Sequence, residues 1–462
     1  MSDSMNNIGQ KPERASGASG LTGCDSAATE GNSLFTANDK APHLALDLME
    51  RICEPSNLNK ALKKVKSNAG AAGVDTMSVH ALSQWMKHNQ KNLIASLLDG
   101  SYKPSPVRGV DIPKPQGGTR KLGIPTVVDR LVQQAILQVI EPIFDPQFSE
   151  YSFGFRHKKS AHDAILVASK YVAEGANYCV DIDLEKFFDR VNHDMLMARV
   201  ARHIKDKRLL KLIRAFLNAG ILENGLLIRN EEGTPQGGPL SPILSNILLD
   251  DLDKELEKRK HKFARYADDC NIYVASKLAA ERVLASVTKW IESKLKLKVN
   301  KEKSAAAAVC TRKFLGYRIL QDGNPSIAPQ SLERFKQKVI AKTKRRKGQS
   351  FDEFIAQLNP LIRGWGQYFR LVKSPKKMKD LDGWIRRRLR AIRLQQCKRK
   401  YTTAQYLINL GGNPRGIWRT VKSGTGRWRM SLSLSVGEAM SNAWFNSIGL
   451  VSLEQQLQKL KR

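Results

Sequence analysis

Residues 263–274 read FARYADDCNIYV, two β-rich runs interrupted by Ala267, Asp268 and Asp269. Asp is a turn former, so the spacing predicts a hairpin whether or not the segment has a function. Residues 178–193, YCVDIDLEKFFDRVNH, alternate Val180, Ile182 and Leu184 with Asp181 and Asp183. A strand there places both aspartates on one face, where like charges repel and a cation or a set of donors would relieve the strain. Taken singly, the first stretch also fits an ordinary turn and the second an edge strand with a solvated acidic face. Together, two apolar strands deliver carboxylates from an otherwise buried context.

Composition says what such carboxylates act on. The 462 residues are 41% hydrophobic, enough for two or three domains with real cores. Lys and Arg number 77 against 44 Asp and Glu, a formal charge of +33, which a folded chain tolerates more easily when a polyanion neutralises part of it. Nucleic acid is the expected partner. No stretch reaches about 18 consecutive apolar residues and the N-terminus lacks an apolar signal core, so no membrane partner and a cytoplasmic, nucleoid-associated location are expected. The six cysteines contain no CxxC pair, and nothing near the C-terminus has the spacing of a zinc-stabilised nuclease module.

Along the chain, residues 1–40 are poor in large apolar side chains and read as a disordered arm. Residues 41–100 show helical periodicity from Leu44 onward and form a helical N-terminal extension. Residues 101–320 alternate short β-rich runs with helices, an α+β signature; Asn177–Leu184 reads as a strand and Leu209–Leu217 as a helix. Gln321–Pro329 breaks regular structure and reads as a linker. Residues 330–430 look all-helical and 431–462 read as a C-terminal tail. Ser331–Met430 holds 27 Lys and Arg against five Asp and Glu, two-thirds of the whole excess charge.

Carboxylates held rigidly on adjacent strands suit two Mg²⁺ ions about 3.5 to 4 Å apart, which take oxygen ligands and keep positions open for phosphate oxygens. Such a pair performs in-line phosphoryl transfer. YADD after a β-rich run, with an upstream Asp-x-x-x-x-Phe strand, resembles the palm of reverse transcriptases. EGTPQGGPLSPILSN (residues 232–246) resembles the block that packs near the incoming nucleotide in group II intron enzymes, and FLGY (314–317) resembles the last palm strand. The resemblance covers roughly residues 60–320. It implies Asp183, Asp268 and Asp269 as catalytic metal ligands, with Asp181 supporting or solvated. Phe188, five residues after Asp183, resembles the steric gate that fills the space of a ribonucleotide 2′-hydroxyl. Gln236 stands where the family places a glutamine near the nucleotide sugar.

Residues 110–130, VDIPKPQGGTRKLGIPTVVDR, form a hairpin finger with a Gly-Gly turn and cations that suit a triphosphate. The resemblance makes this the fingers and Arg120, Lys121 and Arg130 nucleotide contacts. In LDGWIRRRLRAIRLQQCKRK (381–400), Leu381, Ile385, Leu389 and Ile392 form one stripe, leaving the arginines to face phosphate. Trp365, Tyr368, Trp384, Trp418 and Trp428 are interleaved with the cations and could stack on unpaired bases. LNPLIRGWGQYFRL (358–371) resembles the thumb or maturase region.

The expectation is therefore a right-hand polymerase of α+β class, with fingers and palm, a helical N-terminal extension and an all-helical basic thumb/maturase domain. The resemblance implies an RNA-directed DNA polymerase of the group II intron type, without an endonuclease domain. Its partners would be intron RNA, a DNA primer or target, and dNTPs. A domesticated reverse transcriptase in phage defence or DNA repair, and a non-catalytic RNA-binding splicing factor, are the alternatives.

Overall fold

The computed structural model describes residues 47–459, apart from 114–117, 224–225, 229–232, 234–236 and 345–347. The arm read over residues 1–40 lies outside the described residues, and so does Gln236.

Three helices come first: α1 (Leu48–Cys53), α2 (Pro55–Asn68) and α3 (Leu82–Leu98). The next elements are β1 (Val107–Pro113), β2 (Thr119–Ile124) and α4 (Val127–Phe144). Thr126 starts α4 by accepting the Asp129 amide at 3.1 Å. Leu131, Val132, Ala135, Ile136 and Val139, spaced three and four apart, bury one side of the helix.

Then follow α5 (Ala161–Ala173), β3 (Tyr178–Ile182), α6 (His193–His203), α7 (Lys207–Leu217), β4 (Ile221–Glu223) and β5 (Leu226–Ile228). They lead into α8 (Ser241–Lys258), β6 (Lys262–Tyr266), β7 (Asp269–Val274), α9 (Lys277–Trp290) and β8 (Ala305–Ala308). One four-stranded sheet runs β2-β1-β4-β5, and a second, antiparallel throughout, runs β6-β7-β3-β8.

This second sheet lies between two cores. Val180, Ile182, Phe263, Cys270 and Ile272 pack with Leu248, Val283 and Val287. Cys179, Ala264 and Tyr273 pack on the other face with Ile165 and Ala168 of α5. A sheet covered on both faces has little need of polar alternation, which is why residues 263–274 read as two nearly continuous apolar runs.

One expectation is corrected. Gln321–Pro329 is not a structureless linker: β9 (Tyr317–Ile319) pairs antiparallel with β10 (Pro325–Ile327), and Ser326 and Ile327 are buried. The turn residues were legible, with Gly323 at φ +76° and Asp322 accepting the Asn324 amide at 2.9 Å. The flanking strands are too short to show a period.

Helices α10 (Pro329–Lys342), α11 (Phe351–Tyr368), α12 (Pro375–Gln396), α13 (Lys400–Asn409), α14 (Pro414–Lys422) and α15 (Arg427–Met430) form the helical third. The stripe read on α12 is buried at Leu381, Ile385, Leu389 and Ile392. The segment read as a tail carries α16 (Leu434–Ala439), α17 (Asn442–Ser447) and α18 (Leu453–Lys459). Phe445 and Leu453 are buried in the same core as α11 and α12, so the segment is docked.

Candidate functional site

Tyr266 pairs with Asp269 across β6 and β7, leaving Ala267 and Asp268 as a two-residue turn. On the neighbouring strand, Ile182 pairs with Cys270, so Asp183 and Asp269 stand side by side at the next position. The strand register thus brings Asp183, Asp268 and Asp269 to one end of the sheet. Asp181, opposite Asn271, lies one strand repeat further in.

Asp181 of β3 and Asp183 just after it differ in their partners. Arg312 donates to Asp181 Oδ2 from Nε at 3.0 Å and Nη2 at 2.5 Å. Asp183 is the more open, its side chain 40% exposed, with Lys303 Nζ 3.6 Å from its Oδ1. Its backbone is tied on both sides, the amide donating to Ser304 Oγ at 3.0 Å and the carbonyl accepting Asn300 N at 2.8 Å. Sequence reasoning passed over Arg312, Lys303 and Ser304, because a loop more than 100 residues downstream supplies them.

Burial pushes the Asp269 carboxyl up to about 8, and the charges of Asp181, Asp268 and Asp183 add to the rise against the pull of Lys313. Burial and like charge together disfavour an ionised Asp269, a penalty that protonation or a bound divalent ion would relieve. Among the described residues, no three acidic, imidazole or thiol groups converge into a cage for a metal. Mg²⁺ does not require one, since it commonly takes one or two carboxylates and completes its shell with water and substrate phosphate. The all-oxygen donor set fits that ion.

Phe188 sits in a 3₁₀ turn, Phe187–Asp189, half-buried and edge-to-face with Phe187 at 5.1 Å. Gly233 approaches this turn closely: a Cβ on it would lie 3.0 Å from the carbonyl oxygens of both Phe188 and Asp189. Four residues on, Gly237 at φ +125° lies against β2, where a Cβ would meet the Gly123 carbonyl at 2.5 Å. Gly233 thus stands against the Phe188 turn and Gly237 against the β1-β2 finger.

Of the finger cations, Arg120 stands opposite Ile112 and Lys121 opposite Asp111, with Lys121 exposed. Arg130 is placed differently. Its Nη2 donates to the Ala71 carbonyl at 2.7 Å and its Nη1 to the Ala69 carbonyl at 3.4 Å, holding the loop between α2 and α3. As placed, it is a tether of that loop.

Residues 112–319 match the reverse transcriptase (RNA-dependent DNA polymerase) family and residues 332–407 the maturase-specific domain of group II introns. The Escherichia coli K12 protein YkfC is 32% identical over 315 residues, covering 59% of this chain and 83% of that protein. The chain belongs to the group II intron reverse transcriptase/maturase family. The group II intron-encoded protein LtrA of Lactococcus lactis is 37% identical over 219 residues, 47% of this chain and 36% of LtrA. A putative COX1/OXI3 intron 1 protein of Saccharomyces cerevisiae is 32% identical over 200 residues, covering 43% of this chain and 24% of that protein. This chain therefore spans only about a third of LtrA and a quarter of the yeast protein.

In this family's terms, the second sheet is the palm and the β1-β2 hairpin a finger. The maturase helices correct the expectation for α12, because its arginines mostly serve the fold. Arg387 stacks on Trp428 at 3.9 Å and Arg393 on Tyr406 at 4.4 Å. Arg390 donates twice to the Met440 carbonyl, and burial lowers its pKa to about 10. Trp365 stacks on Phe335 at 4.3 Å. Exposed cations come instead from the outer face of α10, with Arg334, Lys338 and Lys342, and from Arg399, Arg415, Arg419 and Lys422. No described helix is long and apolar enough to cross a membrane.

Proposed function

We propose that this chain is an RNA-directed DNA polymerase that adds dNTPs to a primer 3′-hydroxyl on an intron RNA template and uses its basic helices to bind that RNA. The supporting observation is the set of carboxylates at one end of the palm sheet: Asp269 paired with Tyr266, Asp268 in the turn before it and Asp183 one position past the Ile182–Cys270 pair, with the Asp269 carboxyl raised to about 8. These three would hold Mg²⁺, which when bound supplies Lewis acidity toward the 3′-hydroxyl and the leaving pyrophosphate. Asp183 supplies a carboxylate that is 40% exposed, and Arg312 pairs with Asp181 beside it. Phe188 closes the sugar side of the pocket against a 2′-hydroxyl, and Gly233 lets the backbone come close behind it. Arg120 and Lys121 on the finger meet the triphosphate, and Gln236 contacts the sugar. Arg130 contributes by fixing the loop that follows α2.

Primer extension on an RNA template with Mg²⁺ and dNTPs tests this. The wild type is expected to extend, and Asp268→Ala with Asp269→Ala to lose about 10³-fold or more of the rate while still binding RNA. In the same assay Phe188→Ala is expected to admit rNTPs; if it still excludes them, the gate role is lost. A folded, RNA-binding wild type that extends no primer would replace the polymerase by a non-catalytic splicing factor.

A further inference from the structure

Arg265 directly precedes the YADD segment and its side chain is fully buried. A desolvated guanidinium costs several kcal/mol unless paired and fully hydrogen-bonded, and all five of its donors are engaged. Nε donates to Asp253 Oδ1 at 2.7 Å, and Nη2 donates to Asp253 Oδ2 at 2.5 Å and Ser152 Oγ at 2.8 Å. Nη1 donates to Asn246 Oδ1 at 3.0 Å and to the Ala267 carbonyl at 2.9 Å. A buried ion pair is weak grounds for a stabilising role, since apolar residues of equal volume often serve as well. What an apolar residue cannot supply is the bond to Ala267.

Ala267 is the turn residue in front of Asp268 and sits at φ +58°, a left-handed conformation that an alanine enters only under external restraint. The restraint comes from two sides. Arg265 grips the carbonyl from within the sheet. Gly154 lies against the amide so closely that a Cβ would stand 2.3 Å from Ala267 N. Asn246 joins the two sides, accepting from Arg265 and donating Nδ2 to the Gly154 carbonyl at 2.8 Å. Phe153 N to Arg265 O at 2.8 Å and Arg265 N to Tyr151 O at 2.9 Å tie the same segments through the backbone.

We infer that Arg265 is a positioning residue for the polymerase reaction, holding the Ala267–Asp268 turn in the strained form that presents the Asp268 carboxylate, with Asn246 as its coupling partner. This rests on the polymerase reading given above. Misplacement of a reacting group by about 1 Å costs on the order of 10²-fold in rate, so the effect belongs in kcat.

The test is Asn246→Ala beside Asn246→Asp, which keeps the acceptor for Arg265. Single-nucleotide extension, primer–template affinity, thermal melting and amide hydrogen exchange at residues 266–269 are measured. Asn246→Ala is expected to lose about 10²-fold in kcat with dNTP KM and primer–template affinity within about twofold of wild type. Its turn amides should exchange faster, and Asn246→Asp, which keeps the bond to Arg265 but loses the one to the Gly154 carbonyl, should recover part of the rate. If Asn246→Ala does not fold, Ser152→Ala carries the same expectation with about a tenfold loss. Wild-type kcat in the alanine variant overturns the inference; so does a loss that tracks the folded fraction and is not recovered by Asn246→Asp. A wild type that extends no primer overturns the polymerase reading itself, a result distinguishable from either.

Discussion

At the scale of single residues, the site is defined by a carboxyl that burial and neighbouring carboxylates keep from ionising. Asp269 has its carboxyl raised to about 8, whereas an unfolded aspartate titrates near 4. The folded state therefore holds this proton more tightly than the unfolded state. The resulting contribution to stability is complete below about pH 4 and is lost as pH rises through about 8. The metal-free protein is thus expected to melt at a lower temperature at pH 9 than at pH 6, and Asp269→Asn to flatten that difference; equal slopes in both proteins would exclude the uncompensated carboxyl as its cause. The pair Asp181 and Asp183 was legible in the sequence, but the distinction between them was not legible from the residues themselves. Period-two spacing puts both on one face, and only the fold brings Arg312 to Asp181 from 131 residues away. Arg130 shows the same limit: its place beside a Gly-Gly finger gives no sign of the Ala69 and Ala71 carbonyls that the chain's path brings against it.

At the scale of elements, strands and helices with a clear period were legible and the short ones were not. The hairpin of β6 and β7, the strand β3 and the apolar stripe of α12 all follow from spacing. The pairing of β9 with β10 does not, because three-residue strands carry no pattern. The final helix depends on a side chain from another element. Asp382 of α12 is buried and accepts from Ser452 Oγ at 2.6 Å, Leu453 N at 2.9 Å and Glu454 N at 3.1 Å, capping α18 from outside. Asp382→Ala is expected to destabilise the docked C-terminal helix by about 2 kcal/mol, by removing the cap and leaving buried donors unmet. Hydrogen exchange should then rise at residues 453–459 while the palm amides stay protected. An unchanged exchange pattern would mean that Leu453, Leu457 and the Gln456 bond to the Arg363 carbonyl suffice to hold the helix.

At the scale of the whole molecule, a chain of charge +33 with its excess cations gathered on the maturase helices should bind RNA largely by displacing counterions. If six to ten phosphates are contacted, affinity is expected to fall by about 10³-fold or more between 50 and 200 mM salt. Removing the exposed Arg415 and Arg419 should reduce the logarithmic slope by about two, whereas Arg387→Ala, against Trp428, should change stability more than slope. The sequence alone determined the class of chemistry, because paired carboxylates between apolar runs and a large positive excess are local and compositional facts. Tertiary structure alone decided which charges are available. A guanidinium is free for phosphate or bound into the fold according to the carbonyls and rings that distant segments bring to it. Arg265, Arg312 and Arg390 met theirs only when the chain closed around them.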